Sequence, residues 1–196
     1  MKKLIAILML SALCVTFASA EKGAETFVPT DSKALVACFS ATGNTWPLAG
    51  YAAEYLNADL YRIEPEAPYT DADLNYSDGN CRANREMEDD ASRPALAGTV
   101  ENMDQYDTVI IAFPIWWGQA PRLIETFIEA HDLTGKTVLT FCTSGSSGYG
   151  RTGEILSALT DDTVNWMEGA RFSPGATEDE MAAWLAEKGI EPHAAQ

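Results

Sequence analysis

The sequence predicts an α/β domain with a three-layer, doubly wound, five-stranded parallel sheet. Two observations predict this fold class. Short apolar runs of strand length alternate along the chain with amphipathic segments of helix length, and polar loops follow the strands. Such alternation favours parallel strands joined by right-handed crossovers, with helices on both faces of the sheet. The domain is predicted to span residues 34–190.

The first half of the domain is predicted to contain two strands and a helix. The continuous apolar run at residues 34–39 is typical of a buried strand. A helix follows at residues 44–57, with Pro47 in its opening turn, where proline is tolerated. Residues 58–63 alternate in polarity and are predicted to form the second strand.

The second half of the domain repeats this alternation. Its predicted strands span residues 107–113, 136–142 and part of 163–172, where Gly169 weakens the pattern. Its predicted helices span residues 119–131, 151–159 and 177–188. In the last helix, Thr177 and Glu180 have the spacing of a capping box.

Residues 64–102, called the insertion below, stand where a plain fold would have one crossover helix. A connection this long in a compact domain is usually functional or flexible. Residues 84–90 favour a short helix within it. The insertion could cover a ligand at the sheet, or it could be an extended crossover with no role in binding. The sequence leaves both interpretations open.

The N-terminal residues have the pattern of an export signal. Two lysines precede an apolar stretch that is short for a membrane span, and small residues end at position 20. We predict a signal peptide at residues 1–20, a flexible lead at residues 21–33 and no stable membrane span after cleavage. Retention of the segment as an uncleaved anchor is the alternative.

Charge and cysteine usage narrow the function classes. The formal net charge is −16, which would repel nucleic acid and favours solubility or docking to basic partners. Cys38 and Cys142 are expected in core strands, whereas Cys81 lies in a polar stretch and is expected to be exposed. His131 and His193 have no motif around them and are expected at the surface. No metal-ligand spacing or nucleophile arrangement is present, so no catalytic residue is predicted.

Three polar loops follow predicted strands and should meet at the carboxyl end of the sheet, where open α/β sheets bind ligands. Loop 1, residues 40–45, lies between a strand and a helix N-terminus, whose free N–H groups favour an anion. It lacks the lysine of a P-loop and the repeated glycines of a dinucleotide motif. An ordinary capped helix is the alternative interpretation. The candidate phosphate-binding residues of loop 1 are Ser40, Thr42, Gly43, Asn44 and Thr45.

Loop 2, residues 114–121, brings two adjacent indoles, and loop 3, residues 143–151, brings small flexible donors and a tyrosine. Together with loop 1 they suit a flat aromatic ligand with a phosphate tail. The candidate residues of loop 2 are Pro114, Ile115, Trp116, Trp117 and Gly118, and those of loop 3 are Thr143, Ser144, Gly145, Gly148 and Tyr149. Trp46 is a further aromatic candidate, and Arg151 could neutralise the ligand or form an ion pair on its own helix.

The spacing Ser40-x-Thr42-Gly43-Asn44-Thr45 resembles the phosphate loop of the flavodoxin-like family, which binds flavin mononucleotide (FMN). Loops 2 and 3 are similar to the two ring-binding loops of that family in position and character. The resemblance implies the strand order 2-1-3-4-5 and FMN as cofactor. It also implies electron transfer to a redox partner protein or a small-molecule acceptor, here outside the cytoplasm.

Two other functions remain open at this point. One is an FMN-dependent reductase that passes hydride from NAD(P)H to a quinone or similar acceptor, which needs room for nicotinamide over one ring face. The other is a flavin-binding module without a redox role, which the intact phosphate loop disfavours. Whether the protein is a monomer or a dimer is also left open.

Overall fold

The computed structural model describes residues 33–192 and contains the predicted alternation of strands and helices. The elements in chain order are β1 (Lys33–Cys38), α1 (Trp46–Leu56), β2 (Asp59–Arg62), α2 (Arg82–Glu88), a 3-10 turn (Met103–Gln105), β3 (Tyr106–Pro114), α3 (Arg122–Glu129), β4 (Thr137–Thr143), α4 (Thr152–Ser157), β5 (Asn165–Trp166), β6 (Ala170–Phe172) and α5 (Glu178–Glu187).

The strands form one parallel sheet in the order β2-β1-β3-β4-β5, with β6 also paired to β4. This confirms the predicted doubly wound fold and its strand order. In the central pairs, Cys38 lies beside Ala112, and Pro114 lies beside Thr143. The carboxyl ends of β1, β3 and β4 are therefore close to level, so the loops that follow them meet at one end of the sheet.

The core consists of two apolar layers, one on each face of the sheet. One layer packs α1 and α5 against residues such as Val36, Ile110 and Phe141. The other packs α3, α4 and the insertion against Leu35, Ile111 and their neighbours. Burial on both faces explains why β1, β3 and β4 are continuous apolar runs rather than alternating ones.

The fifth strand position is split between β5 and β6, and Gly169 lies between them. A side chain at position 169 would clash with its neighbours, because its Cβ would lie 2.6 Å from the Thr140 Oγ1 atom and 2.5 Å from the Tyr149 hydroxyl. The weak strand pattern predicted there is therefore explained by close packing against β4.

The final helix begins as predicted. Thr177 accepts a hydrogen bond from the Glu180 N–H at 3.2 Å, and the Glu180 carboxylate accepts one from the Thr177 N–H at 2.7 Å. These reciprocal bonds satisfy two backbone donors that have no partner inside the helix.

Three sequence expectations need correction. Lys33, assigned to the flexible lead, begins β1. Cys81 is buried rather than exposed, because it caps α2, where its sulfur accepts a hydrogen bond from the Asn84 N–H. His131 is half-buried, since its Nε2 atom accepts a hydrogen bond from the Val100 N–H at 2.9 Å.

Three predictions concern residues outside the described range: the signal peptide at residues 1–20, the lead at residues 21–32 and His193. Across residues 33–192, no helix is long and apolar enough to cross a membrane. Cys38 and Cys142 are core residues as predicted, and burial raises the pKa of each thiol to about 12. Neither thiol is therefore poised as a nucleophile.

Candidate functional site

The fold brings loops 1, 2 and 3 together at Thr143, the last residue of β4. The buried hydroxyl of Thr45 in loop 1 lies 2.7 Å from the Thr143 hydroxyl. The Ile115 N–H of loop 2 donates to the Thr143 carbonyl at 3.0 Å. Thr45 and Thr143 were candidate ligand donors, and the structure instead places both side chains in a buried contact that joins the loops.

Loop 1 is organised around the Ser40 hydroxyl oxygen. It accepts hydrogen bonds from the N–H groups of Thr45 at 3.0 Å and Trp46 at 3.3 Å, at the beginning of α1. The Thr42 hydroxyl oxygen likewise accepts from the Asn44 side-chain amide at 3.0 Å. Since both oxygens act as acceptors, the hydroxyl hydrogens of Ser40 and Thr42 are left to donate to a ligand.

The tip of loop 1 presents backbone donors to solvent. Thr42, Gly43 and Asn44 are exposed. Within residues 33–192, their N–H groups donate to no protein acceptor. Gly43 has φ +83°, a conformation that a side chain would strain. Exposed N–H groups beside a helix N-terminus form a site suited to a phosphate.

Loop 2 is a tight turn over residues Trp116 to Gln119. The N–H of each of these two residues donates to the carbonyl of the other, at 2.9 and 3.1 Å. The central residues Trp117 and Gly118 have φ values of +51° and +79°, as a type I′ turn requires. Tryptophan is an unusual residue in this left-handed conformation, and such strain is most often kept at functional sites.

The two indoles of loop 2 lie in different environments. Trp116 is only 5% exposed, and its ring packs edge-on against Phe39 and Tyr69 with centroids 5.5 and 5.2 Å apart. Trp117 is 60% exposed. Trp116 therefore belongs to the core, whereas Trp117 is free to cover a ligand. Pro114 and Ile115 are half-buried beneath the turn.

Loop 3 is more open than loop 2. Ser144 is held by its N–H, which donates to the Phe172 carbonyl at 3.2 Å, while Gly145 and Gly148 are exposed. The loop passes close to loop 2, because a Cβ atom at Gly150 would lie 3.0 Å from the Gly118 carbonyl oxygen. The structure thus brings loops 2 and 3 side by side.

Tyr149 does not share the orientation of the other loop 3 candidates. Its hydroxyl is hydrogen-bonded to the Thr140 hydroxyl, three residues before the end of β4. It also occupies the space where Gly169 lacks a side chain. The Tyr149 side chain thus packs against β4 and Gly169, and this position favours a structural role over stacking on a ligand.

A profile of the flavodoxin family matches residues 33–188, which include the whole sheet and all three loops. The chain belongs to the flavodoxin family. A comparison with curated proteins found no match.

Solved structures of flavoproteins are similar to this chain. A candidate flavoprotein of Bacteroides eggerthii is 44% identical, with a TM-score of 0.76, and the match covers 82% of this chain and 99% of that one. A candidate flavoprotein of Bacteroides uniformis is 42% identical, with a TM-score of 0.75, and the match covers 79% of this chain and 98% of that one. A flavoprotein of Lactobacillus acidophilus in complex with FMN is 20% identical, with a TM-score of 0.62, and covers 80% and 97%. The last similarity shows a shared fold.

The insertion contributes to the site in a way that its sequence does not reveal. Tyr69 and Tyr76 pack edge-on against Trp116, and Tyr76 also packs against Trp117 with ring centroids 6.4 Å apart. Burial raises the pKa of Tyr76 to about 12. Asn84 accepts a hydrogen bond from the Trp117 indole N–H at 3.1 Å.

The insertion is fixed to α3 by a group of charged side chains. Arg122, which is buried, pairs with Asp90 and with Glu125. Arg93 pairs with Glu125 and Glu129, both at 2.8 Å. These ion pairs attach the insertion to α3, and the insertion lies beside loop 2.

The remaining sequence candidates have other contacts. The Arg62 guanidinium lies over the ring of Trp46 at 4.1 Å, which places a positive charge beside the start of α1. Arg62 was not predicted from the sequence. Its position at the end of β2, next to β1, could have indicated that it lies near the site. Arg151 forms the ion pair with Glu154 on its own helix, at 3.0 Å. Among the described residues, no group of acidic, histidine or cysteine side chains is arranged to hold a metal ion.

Proposed function

We propose that this flavodoxin-family protein binds FMN and transfers electrons outside the cytoplasm. The observation that carries the proposal is the set of exposed N–H groups at Thr42, Gly43 and Asn44 beside the start of α1, which donate to no acceptor in the described part of the chain. They would hold the FMN phosphate together with the hydroxyls of Ser40 and Thr42. The FMN complex of the Lactobacillus acidophilus flavoprotein, which shares the fold, supports this choice of ligand.

The flavin ring would be held by loops 2 and 3. Trp117 offers an exposed indole for stacking, and backbone groups near Gly118 and Ser144–Gly148 would bind the polar edge of the ring. Bound FMN would supply the redox chemistry. The chain itself binds and orients the flavin and excludes water. Its formal charge of −16 disfavours a negatively charged reduced flavin and so lowers the reduction potential.

The extracytoplasmic location is part of the proposal. Its support is the basic start, apolar stretch and small residues of positions 1–20. N-terminal sequencing of protein from fractionated cells tests it. A cytoplasmic protein that keeps its first residues would contradict export.

A comparison of FMN with riboflavin tests the phosphate site. The apoprotein without residues 1–20 is titrated with both ligands, and FMN should bind far more tightly. Thr42→Ala should weaken FMN binding and leave riboflavin binding nearly unchanged. Thr134→Ala is the matched control, because Thr134 is also exposed but precedes β4 at the opposite end of the sheet. Equal affinities for the two ligands in the unaltered protein would refute the phosphate assignment.

A second candidate function is an FMN-dependent reductase that oxidises NAD(P)H. A pocket of about 290 Å³ lined by Tyr76, Ile115, Trp116 and Trp117 favours it, because a flat ring could enter there. Stopped-flow mixing of the FMN-loaded protein with NADPH separates the two functions. Rapid, saturable bleaching of the flavin indicates a reductase, whereas slow bleaching together with fast reduction by dithionite indicates a carrier.

A further inference from the structure

Asn84, in the first turn of α2, is a buried polar residue whose side-chain nitrogen and oxygen both have hydrogen-bond partners. It is 2% exposed, and its side-chain N–H₂ group donates to the carbonyls of Asp78 at 2.8 Å and Tyr76 at 3.4 Å. Its Oδ1 atom accepts from the Trp117 indole N–H at 3.1 Å. These bonds link two segments of the insertion to the tip of loop 2.

The partners determine how the Asn84 amide is oriented. Two of them are carbonyl oxygens, which can only accept, and the third is an indole N–H, which can only donate. Rotating the amide by half a turn would place like groups against each other at all three contacts. The side chain of Asn84 is therefore held in one orientation, with its oxygen facing loop 2.

Besides the bond to Asn84, the Trp117 ring packs edge-on against Tyr76, with centroids 6.4 Å apart. It is mostly exposed, and it lies in a strained left-handed turn with φ +51°. An exposed side chain of this size would otherwise sample several rotamers, and ordering it on ligand binding would cost free energy. The bond to Asn84 restricts the indole before a ligand arrives.

We infer that Asn84 is a positioning residue, which holds the Trp117 indole in the orientation that receives the flavin ring. The insertion thereby contributes to flavin affinity through loop 2. This inference rests on the proposed FMN binding. It adds that the buried amide of the insertion, rather than loop 2 alone, prepares the stacking surface.

The contact is tested first in the apoprotein, where FMN plays no part. The chain has five tryptophans, so a ¹H–¹⁵N spectrum has five indole N–H signals, and Trp117→Phe identifies one of them by its loss. Asn84→Ala should shift and broaden that signal most strongly. Asn80→Ala is the matched control, because Asn80 is an exposed asparagine of the same insertion.

FMN titration then tests the consequence. Asn84→Ala should weaken FMN binding roughly threefold to tenfold, as expected for the loss of one hydrogen bond. In a Trp117→Phe background, which keeps a ring but lacks the indole N–H, the same substitution should add little. The visible circular dichroism of bound flavin should change in Asn84→Ala and remain unchanged in Asn80→Ala.

The outcomes separate this inference from the proposed function. If the unaltered protein does not bind FMN, the proposed function fails, while the indole signal still reports on the Asn84 contact. If FMN binds but Asn84→Ala changes only thermal stability, the inference is wrong. Should Asn84→Ala fail to fold, Trp117→Phe removes the donor of the same hydrogen bond from an exposed site. FMN affinity unchanged in Trp117→Phe would then overturn the inference.

Discussion

Loop 1 and the insertion are both polar connections near the carboxyl end of the sheet, yet they differ in whether their polar groups are hydrogen-bonded within the protein. At the tip of loop 1, the N–H groups of residues 42–44 have no protein acceptor among residues 33–192. In the insertion, Asn84 is bonded within the insertion and to loop 2, and Arg93 is paired with α3. Unpaired donors at a helix N-terminus indicate a ligand, whereas paired ones indicate support.

The same contrast appears within two adjacent residues of loop 2. Trp116 turns toward the insertion and the core, and Trp117 turns toward solvent. Because Trp116 is buried and Trp117 is largely exposed, one ring supports the site and the other can bind. Substitutions that separate stability from flavin affinity therefore test the comparison.

The largest expected effect is that of Trp116→Ala. Removing a buried indole leaves a cavity among Phe39, Tyr69 and Tyr76, which should lower the free energy of unfolding by about 3–5 kcal/mol. Trp117→Ala, its matched partner, should leave stability nearly unchanged but weaken FMN binding about tenfold. Urea unfolding and FMN titration of both variants measure this. Equal losses of stability would contradict the assignment of Trp117 as a binding residue.

Arg122→Ala should release the insertion from α3. It removes one of the two arginines that pair with the buried Glu125 carboxylate, the other being Arg93, and it should lower the free energy of unfolding by about 3 kcal/mol. The control is Arg151→Ala, which breaks an ion pair of the same i,i+3 spacing with Glu154 in solvent, where such pairs contribute little. Similar effects of the two substitutions on urea unfolding would show that burial of the pair is unimportant.

Gly43→Ala should act mainly on loop 1. The added Cβ has no atom within 4 Å, so the cost is backbone strain at φ +83°, about 1–2 kcal/mol. FMN binding should weaken roughly tenfold as the loop departs from this conformation, with little change in riboflavin binding. Gly79→Ala in the insertion is the control, since that site is equally open and lacks a positive φ. Titration with both flavins shows whether the effect is confined to the phosphate loop.

The smallest expected effect concerns His131, which connects α3 to the end of the insertion. Burial lowers its pKa below the usual 6.5, although its hydrogen bond to the Phe127 carbonyl opposes this. The unfolded chain therefore binds the proton more readily. Its contribution to stability is complete above pH 6.5 and is lost as the pH falls from 6.5 through the lowered value.

Thermal unfolding at a series of pH values, with His131→Gln for comparison, measures this effect. The substitution should flatten the decline in stability below pH 6.5. An NMR titration that finds a normal or raised pKa for His131 would contradict it.

Much of the fold could be predicted because its signals are local. Periodicity placed each major strand and helix within a few residues, and the Thr177–Glu180 pair marked the start of α5. Loop 1 was also recognisable, because a strand, a hydroxyl-rich turn and a helix lie in sequence. Loop 3 was predicted less well, since Tyr149 turns toward Thr140 rather than toward the other candidates.

The sequence by itself determined the parallel α/β sheet, the three loops at its carboxyl end and the phosphate-loop pattern that marks the flavodoxin family. Apolar periodicity, capping and turn chemistry act over a few residues and can be read along the chain. Only the tertiary structure decided which indole is exposed, that Cys81 is buried and that Asn84 contacts Trp117. Those outcomes depend on contacts between residues far apart in sequence, such as 84 and 117, and no local pattern encodes which way a loop side chain will turn.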